Sequence, residues 1–347
     1  MLSFTEPQLV AFTERVLTAL GASPEDAQTA AELLIRADVR GYPTHGIGIL
    51  PEYVQRAQAG TVDFKSRPTV TRDRKAIAQI DGHLYLGQVV GTQAMALAIE
   101  KARAHGLGAV GVSNSAHFGR LADYVEQAAD AGMVGMTFAL VGGASLATFG
   151  SREGTGNSNP IAYGFPGPNG DHIVFDFTTA YMSMREVARR GASGEPLPSG
   201  IVLDNEGNPT TDYAAYAGPP RGVALPFGGH KGSGLHLVAE LLAGILTGHG
   251  TGLSWGPRGG PAVNGGLFVA LDVAEFMPLD SFIGEVDELA KFLRSRKPQE
   301  GIDAVRLPGD GARARSAKRQ AEGIPLDDTL VASLRSVAEK LGVQPLA

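Results

Sequence analysis

The chain has 347 residues, 43% hydrophobic and 19% charged, the balance of an ordinary soluble globular protein with room for two domains or one large and one small. A formal net charge of −6 without a long basic stripe gives no reason to expect nucleic acid as a partner, and no apolar run is long enough to cross a bilayer. The absence of cysteine excludes disulfides, thiolate catalysis and Cys-ligated metals, and an N-terminus without signal-peptide regions makes a cytoplasmic location the expectation.

The first part of the chain reads as helix. Ser23 is suited to an N-cap, Pro24 to the first helical position and Asp26 to completing the start signal. Ala27, Ala30, Ala31, Leu34 and Ile35 then recur at helical spacing as far as Arg40-Gly41. A break over Tyr42 to Gly46 is followed by a predicted helix from Gly48 to Ala59. From residue 69 the pattern alternates. A strand pair over Thr69 to Asp81 precedes a helix over Gly87 to His105 and a strand over Ala109 to Ser113.

Gly106, Gly108 and Gly111 between that helix and strand spell G-x-G-x-x-G. The dinucleotide fingerprint requires a strand before the glycines and a helix after them, whereas the order here is reversed. The segment matters for its end, where the strand runs into Ser113 to Gly119 and carries His117.

A helix over Gly119 to Gly132 and a buried-type strand over Met133 to Leu140 come next, then short strands at Ile161 to Phe165 and Ile173 to Phe177. Helices are expected near Tyr181 to Arg190 and Gly232 to Leu246, a strand over Leu267 to Val273, and a helix over Leu279 to Ser295. An amphipathic helix over Asp327 to Leu341 closes the chain. These elements describe an α/β protein with an α+β-like mixed sheet over residues 77–300. Residues 1–76 and 301–347 are expected to pack together as a helical second domain.

Two histidines sit in conspicuous breaks, His45 in Thr44-His45-Gly46 and His117 in Ala116-His117-Phe118. A histidine at such a junction can serve as a proton donor and acceptor near neutral pH, or simply bond backbone in a turn. Asn157-Ser158-Asn159-Pro160 is a polar turn that can bind phosphate or amide groups, or be purely structural. Asp176 ends a strand, where a carboxylate can orient a histidine, bind a ribose or cap the next helix. Lys231 lies among glycines at a helix start, a pattern open to anion or cofactor contact and equally to tight helix packing. Its spacing is not that of a P-loop. The eight histidines do not fall into metal-binding spacing, so no metal is expected and a metal-dependent hydrolase is disfavoured.

Together and in order, these motifs resemble the type-2 malate/lactate dehydrogenase family, which includes ureidoglycolate and sulfolactate dehydrogenases and piperideine-2-carboxylate-type imine reductases. The resemblance rests on Thr44 to Gly46 with Tyr53, Asn114 to Gly119, Asn157 to Pro160, Asp176 to Thr179, Asp204 to Asp212, Gly228 to Leu235, and Leu307 to Gly309 with Glu322 to Ile324. It covers nearly the whole chain and implies a non-Rossmann oxidoreductase using NAD or NADP, commonly a homodimer acting on a small molecule. It makes His117 the acid/base group and places His45 in the substrate pocket beside Tyr53 and Thr44. It assigns cofactor contacts to Val141, Asn159, Asp176, Phe177, Thr178, Lys231, Phe268, Val269, Ala270, Arg306, Pro308 and Gly309.

The departures are informative. Ile49 stands where the family pattern has an arginine suited to a substrate carboxylate. Arg120 and Arg185 are candidate replacements, although either can instead be an ordinary salt-bridge partner. The change argues against ordinary malate or lactate turnover and for a reductase of a C=O or C=N bond with a less acidic or bulkier neighbour, of the kind expected in specialised metabolism. The alternative is a family member that binds nucleotide or metabolite without turnover. Arg313, Arg315, Lys318 and Arg319 can favour a 2′-phosphate or form a solvated helix face.

Overall fold

A computed structural model of the chain describes residues 2–252 and 263–346. Strand β1 (Leu2–Phe4) enters α1 (Glu6–Ala19), whose start is fixed by a capping box between Thr5 and Gln8. α2 (Pro24–Val39) begins where the sequence predicts, with the Ser23 hydroxyl accepting the Asp26 N–H at 3.2 Å. Two single 3-10 turns, Pro43–His45 and Ile47–Ile49, lead to α3 (Leu50–Gln58).

The next segment builds the main sheet and its covering helices. It comprises β2 (Thr69–Arg74), β3 (Ile77–Asp81), α4 (Gly87–His105), β4 (Leu107–Ser115), α5 (Ala122–Asp130) and β5 (Met133–Val141). Short strands β6 (Leu146–Ala147) and β7 (Gly154–Gly156) precede β8 (Ile161–Phe165) and β9 (Ile173–Phe177). α6 (Met184–Ser193), β10 (Val202–Leu203), α7 (Tyr213–Ala217) and β11 (Val223–Ala224) follow. α8 (His230–Ala239) continues as a π-turn over Glu240–Ile245. β12 (Asn264–Asp272), α9 (Leu279–Arg294), α10 (Asp310–Glu322), β13 (Ile324–Leu326) and α11 (Asp328–Leu341) complete the order.

The seven-stranded sheet runs β2-β3-β4-β12-β5-β8-β9 and is antiparallel except for the β3–β4 pair. β12 is inserted between β4 and β5, so Asn264 lies opposite both Ser115 and Val141. Pro160 leads into β8, whose Ile161 is paired with Phe177 of β9. One end of the sheet therefore gathers the exits of β4, β5 and β9 with the entry of β8. These are the segments that carry His117, Val141, Asn159 and Asp176.

α4 and α5 cover one face of this sheet, and the π-turn contacts β5 and β12. The glycines of the misplaced fingerprint explain the α4–β4 corner. Gly106 caps α4 in the left-handed conformation with φ 77°, and a Cβ on Gly108 would overlap the Ala98 carbonyl of α4. They shape a helix-to-strand turn and the close approach of helix to strand.

A separate four-stranded sheet, β10-β11-β6-β7, was not anticipated because its strands are too short to show a period. Leu146, Val187, Ile201 and Tyr216 join the apolar cluster beneath it and fix α6. At the termini β1 pairs with β13, α11 packs on α1 and α3, and α10 packs on α2. A continuous apolar cluster runs from Phe12, Leu34 and Leu334 to Val110, Phe118 and Phe268 of the sheet region. No described helix is long and apolar enough to cross a membrane.

Candidate active site

The strand β4 delivers His117, and packing fixes where the chain turns. Phe118 is buried edge-on against Phe268, with ring centroids 5.4 Å apart, and Tyr124 stands edge-on to the same ring at 5.4 Å. The Tyr124 hydroxyl also donates to the Phe118 carbonyl. The α4 N-terminus presses on this turn so closely that a Cβ on Gly87 would overlap the carbonyls of Ala116 and His117. His117 is thus set by backbone contacts on one side and an aromatic cluster on the other.

Residues far apart in sequence meet its ring. The Tyr53 hydroxyl lies 3.3 Å from His117 Nδ1, and the Gln88 amide Nε2 donates to that hydroxyl at 2.9 Å. His45 stacks on His117 with centroids 5.6 Å apart and planes 21° apart, while Thr44 Oγ1 lies 3.0 Å from His45 Nδ1. His117 is held well below its usual pKa, first by enclosure in protein and then by His45, Arg185 and Arg56. Enclosure, with Arg185 and Arg120, likewise lowers His45 to about 4. Burial pushes Tyr53 up to about 12, so its hydroxyl stays protonated.

The turn that carries His45 rests on Asp38. This carboxylate, only 2% exposed, accepts the Ile47 N–H at 2.6 Å, and a Cβ on Gly46 would overlap it. Burial raises Asp38 to about 7, opposed by that backbone bond and by Arg319. Sequence reading passed over Asp38, although an aspartate between Ala37 and Val39 on an apolar helix face was the available signal.

Arg120 and Arg185 have different surroundings. Arg120 is buried and committed, with Asp123 at 3.1 Å, Glu126 at 3.9 Å and the Tyr42 ring centroid 5.1 Å from its guanidinium carbon. Arg185 is 38% exposed and reaches Glu52 at 2.8 Å; Glu52 also holds Arg56 at 2.6 Å. Arg185 is the cation felt by His45, His117 and Tyr53 together. Ile49 is 1% exposed within the main apolar cluster, so an arginine there would begin in packed core rather than at a pocket wall.

A cleft of about 770 Å³ starts at His45 and Arg120 and extends over Asp176, Phe177 and Thr178 to Pro308, Gly309 and Arg313. Asp176 is open to this cleft although protein surrounds it. That enclosure raises its carboxyl to about 6, opposed by Arg120 and the N–H of Ala122, which it accepts at 2.9 Å. Thr178 Oγ1 donates to the Ser158 carbonyl at 3.0 Å. Asn159, fully buried with φ 27°, accepts the Val141 N–H at 3.0 Å and donates to Glu240 at 2.8 Å. The π-turn therefore braces the polar turn of β8, an association common at functional sites.

Other expected cofactor residues stand apart. Phe268, Val269 and Ala270 are buried in β12 behind the His117 turn and do not line the cleft. Lys231 is exposed on the first turn of α8, and Arg306 pairs with Asp303 at 2.5 Å, both outside the cleft. The basic run on α10 is mostly tied down. Arg313 pairs with Asp171 and Asp310, both at 2.5 Å, Arg315 donates to the Arg40 carbonyl at 2.8 Å, and Arg319 donates to the Asp38 carbonyl. These arginines fasten α10 to the cleft and to α2. Among the described residues, no three potential metal ligands come together.

The sequence profile described as malate/L-lactate dehydrogenase matches residues 4–335. The chain is 35% identical to the malate/(S)-sulfolactate dehydrogenase of Methanothermus fervidus over 333 residues, 95% of each chain. It is likewise 35% identical to an L-lactate dehydrogenase of Cupriavidus necator over 331 residues, 94% of this chain and 95% of that one. Among solved structures, sulfolactate dehydrogenase from Methanocaldococcus jannaschii matches with a TM-score of 0.90 at 32% identity, covering 99% of this chain and 98% of that one. The Δ1-piperideine-2-carboxylate reductase from Pseudomonas syringae matches with a TM-score of 0.85 at 31% identity, covering 100% of both. With the fold and nearly the full length shared, the chain belongs to the malate/L-lactate dehydrogenase family of NAD(P)-dependent oxidoreductases.

Proposed function

We propose that this chain interconverts a small carboxylated C=O or C=N compound with its reduced form, using NADH or NADPH or their oxidised forms, with His117 as the acid/base group. The observation that carries the reading is the His117 site. A histidine is kept neutral behind His45, the residue at one end of the cleft, braced by Tyr53 and under the charge of one half-exposed arginine.

The cleft suits a dinucleotide. Its volume of about 770 Å³ lies within the usual range for small-molecule sites, and Arg36, Arg40 and Arg313 line it with Thr178 and Gly309. When bound, the nicotinamide supplies or accepts the hydride. The chain's residues supply the proton and the orientation. A neutral His117 accepts a proton from a substrate hydroxyl or amine, and the protonated ring returns it in the opposite direction. Arg185 attracts the substrate carboxylate in competition with Glu52. Neutralising Arg185 removes one charge that depresses His117, so the ring gains basicity as substrate arrives.

This reading keeps Arg185 as the substitute for the arginine absent at Ile49 and leaves Arg120 a structural ion-pair partner. It includes a non-Rossmann mode of nucleotide binding, since the G-x-G-x-x-G glycines shape a corner. It also includes a cytoplasmic location and a homodimer, the latter supported by the exposed Leu237, Leu241 and Ile245 at four-residue spacing along α8 and its π-turn. Turnover of a panel of 2-oxo acids and cyclic imines with NADH and with NADPH tests the function. Consumption of either cofactor with at least one class is expected. Cofactor binding without turnover across the panel would favour the non-catalytic reading.

A further inference from the structure

The Tyr53–His117 contact has a third member that the sequence did not single out. Gln88, on the first turn of α4, is 1% exposed. Its Nε2 lies 2.9 Å from the Tyr53 hydroxyl, which is itself 3.3 Å from His117 Nδ1. Its Oε1 is buried without a hydrogen-bond partner. A buried amide oxygen is costly to leave unpaired, and its position beside an amide nitrogen already in use is informative.

We infer that Gln88 is a positioning residue for the acid/base histidine, its amide turning over as His117 Nδ1 passes from bare, with the ring proton on Nε2, to protonated, the form that leaves Nε2 free to accept the substrate's proton and, once charged, to return it. The inference rests on His117 acting as acid/base. Proton counting supplies the reason. The Tyr53 hydroxyl has one proton and lies between two nitrogens. With Nδ1 bare, the hydroxyl donates to His117 and accepts from Gln88 Nε2, as the present geometry allows. With a proton on Nδ1, the ring donates to the hydroxyl, whose own proton must then find another acceptor. Gln88 Oε1 becomes that acceptor after a half-turn of the amide, which exchanges oxygen and nitrogen with almost no change of shape. One amide position lacks a Tyr53 partner in either state, so neither orientation traps the switch.

The relay is local within a charged setting. The titratable and charged groups facing His117 are His45 on the 3-10 turn, Tyr53 and Arg56 on α3, and Arg185 on α6, with Glu52 joining the two arginines. Gln88 contributes no charge, so its influence is confined to the direction of the Tyr53 hydrogen bond.

The test is the pH profile of kcat/KM for the full-length enzyme carrying Gln88→Leu or Gln88→Glu. Gln88→Leu removes the acceptor required by protonated His117 and should lower the apparent pKa by about one unit. Gln88→Glu supplies a permanent acceptor and should raise it by about one unit or more. In a Tyr53→Phe background neither change should move the profile further, because the link is already cut. A structural role alone would reduce activity or melting temperature and leave the pKa in place; unchanged profiles in both folded variants would overturn the relay. If either variant does not fold, the Tyr53→Phe profile keeps the test open, since an unshifted pKa there overturns the relay as well. Retained turnover in His117→Asn would instead overturn the underlying acid/base reading, so the two failures are distinguishable.

Discussion

Replacing Arg185 with leucine removes the half-exposed cation that His45, His117 and Tyr53 all sense. A hydrogen bond to a charged partner contributes roughly 1.5–3 kcal/mol. Arg185 is 38% exposed and already shares Glu52, so solvent and competition hold the loss to the lower end. About 1.4 kcal/mol corresponds to a tenfold change, and KM for a carboxylated substrate should rise by about that factor. Its uncharged amide analogue should be little affected. Initial rates with the acid and the amide, measured side by side, separate lost charge recognition from general damage. Glu52→Gln should act in the opposite direction, lowering KM for the acid by freeing the guanidinium. The apparent pKa of His117 should also rise in Arg185→Leu, because one depressing charge is gone. Equal losses for acid and amide, or no change for either, would refute Arg185 as the carboxylate anchor.

Other outcomes follow from the packing around the histidines. Asp38 has a folded pKa raised from 3.8 to about 7, so its protonated form stabilises the fold at low pH and that stability is lost as pH rises through about 7. Asp38→Asn removes a cost of at most about 4 kcal/mol above neutrality. Its stabilising effect in denaturant titrations should therefore grow between about pH 4 and about pH 7.5, and parallel pH–stability curves for the two proteins would contradict this. Gly87→Ala forces a methyl against the His117 and Ala116 carbonyls and should destabilise by about 1–3 kcal/mol, with kcat falling more than cofactor affinity. A variant with wild-type kcat and melting temperature would show that the contact yields freely. Ile49→Arg inserts a charged head into packed core and should lower the melting temperature; higher rates with small 2-oxo acids would instead show that the guanidinium reaches the cleft.

The sequence was most legible where one local pattern decided the structure. α4, β8 and β9 have the bounds their periodicity predicts, and α2 starts at the Ser23 cap. The small sheet was hidden because two- and three-residue strands carry no usable period. The histidines were legible as junction residues, and only the family resemblance put them in one pocket with Tyr53, since no local pattern links Tyr53 to His117, 64 positions away. Asp38 and Gln88 were overlooked for a related reason. Each is a polar residue within an apolar helical pattern, and only tertiary contacts reveal the N–H or hydroxyl it serves. Ile49 and Arg185 show the converse. A motif position suggested the missing cation, while the position of Arg185, its proposed substitute, depends on α6 being packed on a sheet without a sequence signature.

In the proposed reaction His117 transfers the proton while the cleft separately holds the cofactor. The most direct measurement is single-turnover reduction by His117→Asn, with cofactor affinity determined on the same protein by quenching or enhancement of nicotinamide fluorescence. The rate should fall by about 10²–10⁴ with cofactor affinity nearly unchanged. A wild-type rate with intact cofactor binding would contradict it.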